Sequence, residues 1–464
     1  MIDTTGALAS LEEALSRAGR GPRRLVSATA QVEIDDPAAA VFASRLAGDR
    51  WFAWEQPDRG GFALAGLGSA HEAISRGTCR FADLAAACTA ALRDRVSTEP
   101  EGLPAGAGPV WTGGFAFGED GGGSPAWSSF APAQLVLPEL SLLRDEGRTW
   151  LTLNAFAGGD VDAEAVGERL ARRLAALRLE PLPLLDPDPL VPAEIRSVAP
   201  PSRYERSVAA ARERIRAGKL EKVVLAREVT VEAATAHDPA ATYGALRELF
   251  PSCFCFCVGS AEGAFLGASP ELLVRRRGAG AAAVALAGST RRSADPAVDD
   301  HLGEQLLRSA KDRQEHEIVA RRIARTLAPR SVWVEAEAEP SLVKVANIQH
   351  LATPVHAQLA EPLSAIELAG MLHPTPAVGG EPRAQALEAI AELEGIDRGW
   401  YAGPVGWMDA AEDGEFCVGL RSALLRDRTA HLIAGAGIVA DSDPAAELAE
   451  TELKLEALLP LLAG

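Results

Sequence analysis

The chain lacks the features that mark membrane-spanning, secreted and nucleic-acid-binding proteins. Its 464 residues contain no uninterrupted apolar run of about 18 residues, so no transmembrane helix is expected. Six cysteines are too few for a disulfide framework in a chain of this length. A formal net charge of −18 argues against nucleic acid and anionic membranes as general partners. A small anionic substrate is not excluded, because a local cation can reverse the sign of the potential inside a cleft.

The N-terminal residues also lack the pattern of a secretory signal. Asp3, Glu12 and Glu13 interrupt the apolar residues there, so the continuous apolar segment of a signal is missing. The cytoplasm is therefore the predicted location. With 47% hydrophobic and 24% charged residues, the composition is that of an ordinary globular protein. The length predicts two or three structural units, or one large interleaved fold.

A proline-rich segment at residues 178–202 predicts a connector between two parts of the chain. Residues 1–190 are expected to form an N-terminal α+β subdomain that packs closely on residues 200–464 and carries no catalytic constellation. The C-terminal part alternates hairpin-like strand signals with helix signals at 299–328, 363–371, 382–394 and 444–460. Because the strands do not follow strict βαβ order, the pattern predicts an α+β fold with antiparallel sheets.

Two metal-binding patterns are absent although parts of them occur. Cys253, Cys255 and Cys257 alternate along one strand, but neither a second cysteine pair nor a histidine follows at zinc spacing. A buried strand face is the favoured interpretation of these three residues. His316 does not begin an HExxH motif, because position 320 is Ala. A zinc protease is therefore not expected.

Acidic residues recur at helical spacing in two separate segments. Asp312 and Glu315 lie three apart in KDRQEHEIV, while Glu447, Glu450 and Lys454 lie at i, i+3 and i+7 near the C-terminus. At this spacing each set falls on one helix face. Two such faces could share Mg²⁺, which prefers oxygen ligands and usually takes one or two carboxylates with water and substrate. The alternative is two solvated acidic helix faces.

Other residues are candidates for acid–base chemistry and anion binding. Lys222 opens the predicted strand KVVLAR; it is either a solvated edge residue or, drawn into an apolar cleft or near Mg²⁺, a base. Glu271 follows a tight turn, and burial there would raise the pKa of its carboxyl and make it a general acid. Arg421 and the backbone of Gly435 and Gly437 are candidate holders of carboxylate oxygens.

Taken in order, a set of motifs in residues 200–460 resembles the chorismate-binding enzymes. That family contains isochorismate synthases, salicylate synthases, and the large subunits of anthranilate and aminodeoxychorismate synthases. The resemblance implies their fold, in which large antiparallel sheets are packed with outer helices. The motifs are EKVVLAR, GASPELL, LAGSTRR, KDRQEHEIV, HLATPV, LHPTPAVGG, AELEGIDRGWYAGPVGWMD, GLRSALL and AGAGIVADSDP followed by E..E…K.

Particular positions indicate which branch of the family the chain resembles. Lys222 stands where isochorismate and salicylate synthases keep a lysine that activates water, whereas anthranilate synthases carry Gln there. Ala287 stands where aminodeoxychorismate synthases place a nucleophilic lysine, and the LLES motif of anthranilate synthases is missing. Salicylate synthases carry Thr at the position of Ala377. The resemblance therefore implies an isochorismate synthase, with a salicylate synthase and a non-catalytic chorismate-binding protein as alternatives.

The resemblance also implies roles for the acidic residues and the two catalytic candidates. Glu315 and Glu450 would hold Mg²⁺, with Asp312 and Glu447 in or next to its shell through water. The lysine at the start of KVVLAR would take a proton from the water that attacks C2 of chorismate, and the glutamate of GASPELL would protonate the departing C4 hydroxyl. The implied substrate contacts are Gly288, His350, Ala377, Arg421, Gly435, Gly437 and Lys454. For the histidine, a packing role is an equal alternative.

The implied chemistry bears on partners as well. An enzyme that uses water as nucleophile needs no glutaminase subunit, so chorismate is the expected small-molecule partner of a monomer or weak homodimer. The sequence does not distinguish menaquinone biosynthesis from siderophore biosynthesis.

Overall fold

The computed structural model describes residues 4–19, 21–186, 191–345 and 347–464. In the N-terminal part the elements follow in the order α1 (Thr5–Ala18), β1 (Arg24–Val32), α2 (Pro37–Ala43), β2 (Trp51–Gln56), β3 (Phe62–Leu67), β4 (His71–Ser75), α3 (Arg80–Leu92), β5 (Val96–Thr98), β6 (Val110–Phe115), β7 (Ala133–Leu137), β8 (Leu140–Asp145), β9 (Arg148–Ala157) and α4 (Ala163–Ala175). No helix in the described ranges is both long and apolar enough to cross a membrane.

The C-terminal part begins with the short edge strand β10 (Glu194–Ser197). It continues with α5 (Pro201–Arg216), β11 (Lys222–Glu232), α6 (Pro239–Leu249), β12 (Phe254–Ser260), β13 (Gly263–Ser269), β14 (Leu272–Arg277), β15 (Gly280–Arg291), α7 (Pro296–Arg308), α8 (Ala310–Leu327), β16 (Ser331–Ala336), β17 (Ser341–Lys344), β18 (Ile348–Leu359), α9 (Ala365–Leu372), β19 (Gly380–Glu381), α10 (Arg383–Leu393), β20 (Pro404–Asp409), β21 (Gly414–Val418), β22 (Ser422–Arg426), β23 (Thr429–Ile438), α11 (Pro444–Leu455) and α12 (Leu459–Ala463).

The strands form two large sheets, each built from both parts of the chain. The first has thirteen strands in the order β10-β11-β23-β22-β13-β12-β2-β3-β8-β9-β1-β5, with β19 added on β11. The second has ten strands in the order β16-β18-β15-β14-β21-β20-β6-β7-β4, with β17 added on β18. Among the described strands β1 and β5 pair in parallel, and the other pairs are antiparallel. The predicted α+β fold with large antiparallel sheets is confirmed.

The two parts of the chain meet inside both sheets. In the first sheet, β12 of the C-terminal part pairs with β2, and in the second, β20 pairs with β6. One apolar cluster contains Trp54 from the first sheet and Trp407 from the second, so the sheets pack on each other there. The Phe62 ring also stacks on Trp407 with centroids 5.9 Å apart. The division at residues 190–200 stays a prediction.

The predicted helix at 299–328 is two helices, separated at Ser309. This residue has extended backbone angles, and its side chain accepts a hydrogen bond from the Asp312 amide, which caps α8. Farther along α8, His316 bonds to Thr353 of β18 at 2.8 Å between Nε2 and Oγ1. The cap and this bond fix which face of α8 is turned toward the second sheet.

Candidate active site

A cavity lies where β11 and β23 of the first sheet approach β15, α8 and α11. Most of the predicted site residues line it: Glu271, Gly288, Glu315, His350, Ala377, Arg421, Gly435, Gly437, Glu450 and Lys454. The other three lie next to lining residues: Lys222 pairs with Glu315, Asp312 lies against Gly288, and Glu447 is one turn before Glu450 on α11. The structure therefore brings the predicted residues together.

Lys222 is fully buried, so it is not a solvated edge residue. It begins β11, where Glu381 of β19 is its cross-strand partner. Its Nζ lies 2.9 Å from Oε1 of Glu315, as an ion pair without a well-aligned hydrogen bond. A Cβ on Gly437 would lie 2.2 Å from the same Oε1 and 3.0 Å from Cε of Lys222. Glycine at that position leaves the space in which the amine and the carboxylate meet.

Glu271 is 2% exposed and lies between β13 and β14. Burial raises the pKa of its carboxyl to about 8, although the charges of Lys222 and Lys454 oppose the shift. Its Oε1 is buried without a hydrogen-bond partner among the described residues. A carboxyl in this setting is protonated at neutral pH, which is the state that a general acid needs.

The acidic residues of α8 and α11 are compensated mainly by lysines. The ion pairs are Glu315 with Lys222 at 2.9 Å, Glu447 with Lys311 at 2.9 Å, and Glu450 with Lys454 at 2.7 Å. Asp312 has no such pair among the described residues and accepts a hydrogen bond from the Ser309 hydroxyl. The two acidic faces are therefore not two independent solvated surfaces.

The carboxylates on α8 and α11 shift one another's pKa values. Burial raises the pKa of Asp312, and the charges of Glu315 and Glu450 add to the rise. Burial raises the pKa of Glu447 as well, again with a contribution from Glu450. For Glu450, burial raises the pKa but the Lys454 ammonium and its hydrogen bond outweigh it, so the net shift is downward. A divalent cation would relieve this mutual repulsion.

The donor set fits Mg²⁺ without forming a ready cage. Among the described residues, no three acidic, histidine or cysteine side chains converge closely enough to hold an ion as they stand. Glu315 and Glu450 nevertheless line one cavity from two different helices. Mg²⁺ usually binds through one or two carboxylates and takes its other oxygens from water and substrate, so two carboxylates at the wall of one cavity suit it.

The cavity wall also presents a buried cation, Arg421, held by a neutral histidine. Arg421 lies in the turn between β21 and β22 and has φ 47°, in the left-handed region. Its Nη2 lies 3.2 Å from Nε2 of His350, whose Nδ1 lies 3.0 Å from Ser289 Oγ and 3.3 Å from the Gly288 carbonyl oxygen. An arginine can only donate, so Nε2 accepts and the ring proton is on Nδ1.

The charge state of this group agrees with its bonding. Burial lowers the pKa of His350 far below its ordinary value, and the cations Arg421 and Lys454 lower it further. The histidine is therefore neutral and can accept from the guanidinium. Nη1 of Arg421 is buried with no hydrogen-bond partner among the described residues, which leaves a donor for an anionic ligand.

Glycines shape the walls of the cavity. Gly288 has φ +73° at a register shift in β15, and a Cβ there would lie 3.1 Å from Cβ of Asp312. The Gly435 carbonyl accepts a hydrogen bond from Lys454 Nζ at 2.9 Å, which directs that side chain along β23. Ala377 lines the cavity beside Val378. These positions agree with the predicted substrate contacts but do not test them.

The sequence analysis did not name Arg398 and Tyr401, two polar residues that also line the cavity. Arg398 is 4% exposed, binds the Glu394 carboxylate, and donates to the carbonyls of Val224 at 3.0 Å and Val378 at 2.8 Å. It thereby ties β11 to the segment that carries Ala377. Both residues occur in the motif AELEGIDRGWYAGPVGWMD, and its place in the family resemblance is the signal that could have drawn attention to them.

The chain is similar to known proteins over nearly its whole length. A family model described as chorismate binding enzyme matches residues 10–463. The salicylate biosynthesis isochorismate synthase of Pseudomonas aeruginosa is 39% identical over 414 residues, which are 89% of this chain and 84% of that protein. Isochorismate synthase MenF of Bacillus subtilis is 35% identical over 360 residues, covering 77% of this chain and 75% of that protein.

Solved structures of known proteins also resemble this chain. MenF, the menaquinone-specific isochorismate synthase from Escherichia coli, superposes with a TM-score of 0.82 and 29% identity over 99% of both chains. Anthranilate synthase component I from Streptococcus pneumoniae superposes with a TM-score of 0.67 over 86% of this chain and 92% of that one, at 22% identity, and shares the fold. The chain belongs to the chorismate-binding enzyme family.

Proposed function

We propose that this protein is an isochorismate synthase, an isomerase that converts chorismate to isochorismate. The observation that carries the proposal is that a buried lysine and a buried carboxyl group, the latter protonated at neutral pH, lie near each other at one site. Lys222 supplies the base, and Glu271, with its pKa near 8, supplies the acid. Relatives that bear the name isochorismate synthase, and that span most of this chain, support the assignment.

The reaction requires one proton to be taken and one to be given. Lys222, in its neutral form, accepts a proton from water as the water oxygen bonds to C2 of the ring. Both ring double bonds shift, from C1=C2 and C5=C6 to C1=C6 and C4=C5, as the C4–oxygen bond breaks, and Glu271 donates its proton to the departing hydroxyl, which leaves as water. Both side chains are nearly or completely inaccessible to bulk solvent, so these transfers are directed at the substrate.

The substrate carries carboxylates, and the cavity offers separate cations for them. The free Nη1 donor of Arg421 would bind one carboxylate, and Lys454, which lines the same cavity and donates to the Gly435 carbonyl, would bind another. His350 holds the guanidinium in place as a neutral acceptor. Gly288 and Ala377 would lie against the ring and the side chain of chorismate, because both line the same cavity.

Mg²⁺ would be held by Glu315 and Glu450, with Asp312 and Glu447 next to it through water. When bound, the ion supplies positive charge that neutralises a substrate carboxylate within an acidic site. Glu315 would then be shared between the ion and Lys222, with which it pairs in this structure.

The proposal extends to partner, location and pathway. An enzyme that uses water needs no glutaminase subunit, so we propose a monomer or weak homodimer that acts on chorismate in the cytoplasm. The relatives include the menaquinone-specific enzyme of Escherichia coli and DhbC, an isochorismate synthase of Bacillus subtilis that is 41% identical over 276 residues. We propose menaquinone or siderophore biosynthesis as the pathway.

Proton NMR of chorismate with the purified protein tests this function directly. We expect conversion to isochorismate that stops at a mixture, requires Mg²⁺, and is unchanged by added ammonium. Formation of salicylate and pyruvate would instead identify a salicylate synthase and contradict the role of Ala377. An aminated product that depends on ammonium would contradict the role of Lys222, and no product would leave a chorismate-binding protein without catalysis.

A further inference from the structure

One lysine at the acidic cluster has no role in the reaction described above. Lys311 lies in the first turn of α8, one turn before Glu315, and its Nζ is 2.9 Å from Oε1 of Glu447 on α11. Glu447 is 2% exposed, whereas the Lys311 side chain is 38% exposed. The ammonium therefore neutralises a carboxylate that is almost completely removed from water.

Lys311 differs from Lys222 and Lys454, the other two lysines paired with these carboxylates, in the space that is open to its side chain. It lines a second, outer cleft beside α8, which shares no lining residue with the substrate cavity. Glu317 and Asp441 are exposed acidic residues of this outer cleft. The ammonium group thus lies between the buried acidic cluster and a solvated acidic cleft that can receive it.

We propose that Lys311 is a built-in counter-cation that competes with a divalent cation for Glu447 and so weakens metal binding at this cluster. The inference rests on the proposed function, because it assumes that the carboxylates of α8 and α11 bind Mg²⁺. The metal-free protein needs positive charge beside Glu447, since an unpaired buried carboxylate is costly. An ammonium and a divalent ion against one carboxylate repel each other, so binding of the ion moves Lys311 toward the outer cleft.

The competition predicts that removing the ammonium strengthens metal binding. Lys311→Met keeps most of the side-chain volume but leaves Glu447 free to face a cation. Titration calorimetry of the purified full-length protein with MgCl₂ or MnCl₂, without chorismate, should show binding about tenfold tighter than wild type, the worth of one charge-assisted hydrogen bond. The metal-free variant should also melt at a lower temperature, and Mg²⁺ should raise its Tm more than it raises that of the wild type.

Arg313→Met provides a matched control. It removes the same charge from the same helix, but Arg313 pairs with Glu339, which is 73% exposed, and makes no contact with Glu447 among the described residues. Its metal affinity should stay within about twofold of wild type, since exposed charges are screened by solvent. Lys311→Gln, which keeps a neutral donor for Glu447, serves if the methionine variant does not fold and should also bind metal more tightly.

Three results would overturn the inference. Unchanged or weaker metal binding in both Lys311 variants would show that the lysine positions Glu447 or is irrelevant to the metal. An equal gain in Arg313→Met would show a general charge effect. If neither the wild type nor any variant binds either metal, the proposed Mg²⁺ site fails together with this inference. If the wild type binds metal tightly and the Lys311 variants bind it with the same affinity, only this inference fails.

Discussion

Lys222 and Glu315 form an ion pair of 2.9 Å at the floor of the cavity, with no part of the lysine exposed to solvent. The pair brings together the first residue of β11 and a residue of α8, and the absence of a side chain on Gly437 leaves room for it. The proposed metal ligand and the proposed base are therefore coupled.

Lys222→Ala should reduce kcat for isochorismate formation by about 10²- to 10⁴-fold, the range for losing one general base. The measurement is the rate of isochorismate formation at saturating chorismate and Mg²⁺, with circular dichroism to confirm the fold. Lys219→Ala is the control, because Lys219 is an exposed lysine three residues earlier. Turnover near the wild-type level in the Lys222 variant would remove the lysine from the mechanism.

The raised pKa of Glu271 predicts how the activity depends on pH. Its pKa is raised to about 8, chiefly by burial, so the protonated acid is present below pH 8 and is lost as the pH rises through that value. We expect kcat to fall on the alkaline side with an apparent pKa near 8. Glu271→Gln should lower kcat by at least about 10²-fold and abolish this alkaline limb. An unchanged limb in the variant would assign the titration to another group.

The same shift predicts a change of stability with pH. The unfolded chain releases the Glu271 proton near pH 4.5, whereas the folded protein keeps it up to about pH 8. Between these values the folded state binds more protons than the unfolded state, so this residue makes the protein less stable as the pH rises. Urea unfolding at pH 5.5 and pH 8 should show a steeper loss of stability in the wild type than in Glu271→Gln. Parallel losses would contradict the raised pKa.

His350 is predicted to act through Arg421. Because the neutral ring accepts from the guanidinium, His350→Ala should free Arg421 and raise KM for chorismate about tenfold, with a smaller effect on kcat. Activity should show no limb near pH 6.5 from this residue, since its pKa lies far below that value. Ser289→Ala is the control, because Nδ1 keeps the Gly288 carbonyl as an acceptor. A fall in kcat with unchanged KM would contradict this positioning role.

The fold and the site could be predicted from the sequence to different extents. The hairpin pattern was sufficient for the antiparallel α+β fold, and the ordered motifs named residues most of which line one cavity in the structure. β18 was not predicted as a strand, since Pro354 within a strand pattern argues against one. The break at Ser309 was missed as well, although the serine followed three residues later by Asp312 resembles a helix-capping signal.

Burial of charged residues could not be predicted. An arginine at i+4 from a glutamate usually marks an exposed helix pair, and neither periodicity nor composition distinguishes that case from a buried one. Glu394 and Arg398 have this spacing, yet their side chains are 2% and 3% exposed, because the carbonyls of Val224 and Val378 and the amide of Ala226 complete their hydrogen bonds. Only the assembled fold supplies those backbone groups.

Arg398→Met should therefore be strongly destabilising. Removing the guanidinium leaves Glu394 buried without its ion partner and two backbone carbonyls without a donor, a loss of about 3–5 kcal/mol in the free energy of unfolding. Urea denaturation measures it. Arg308→Met is the control, because Arg308 and Glu304 have the same spacing with side chains 80% and 59% exposed, and its loss should change stability little. Equal effects in the two variants would show that burial does not set the strength of the Glu394–Arg398 pair.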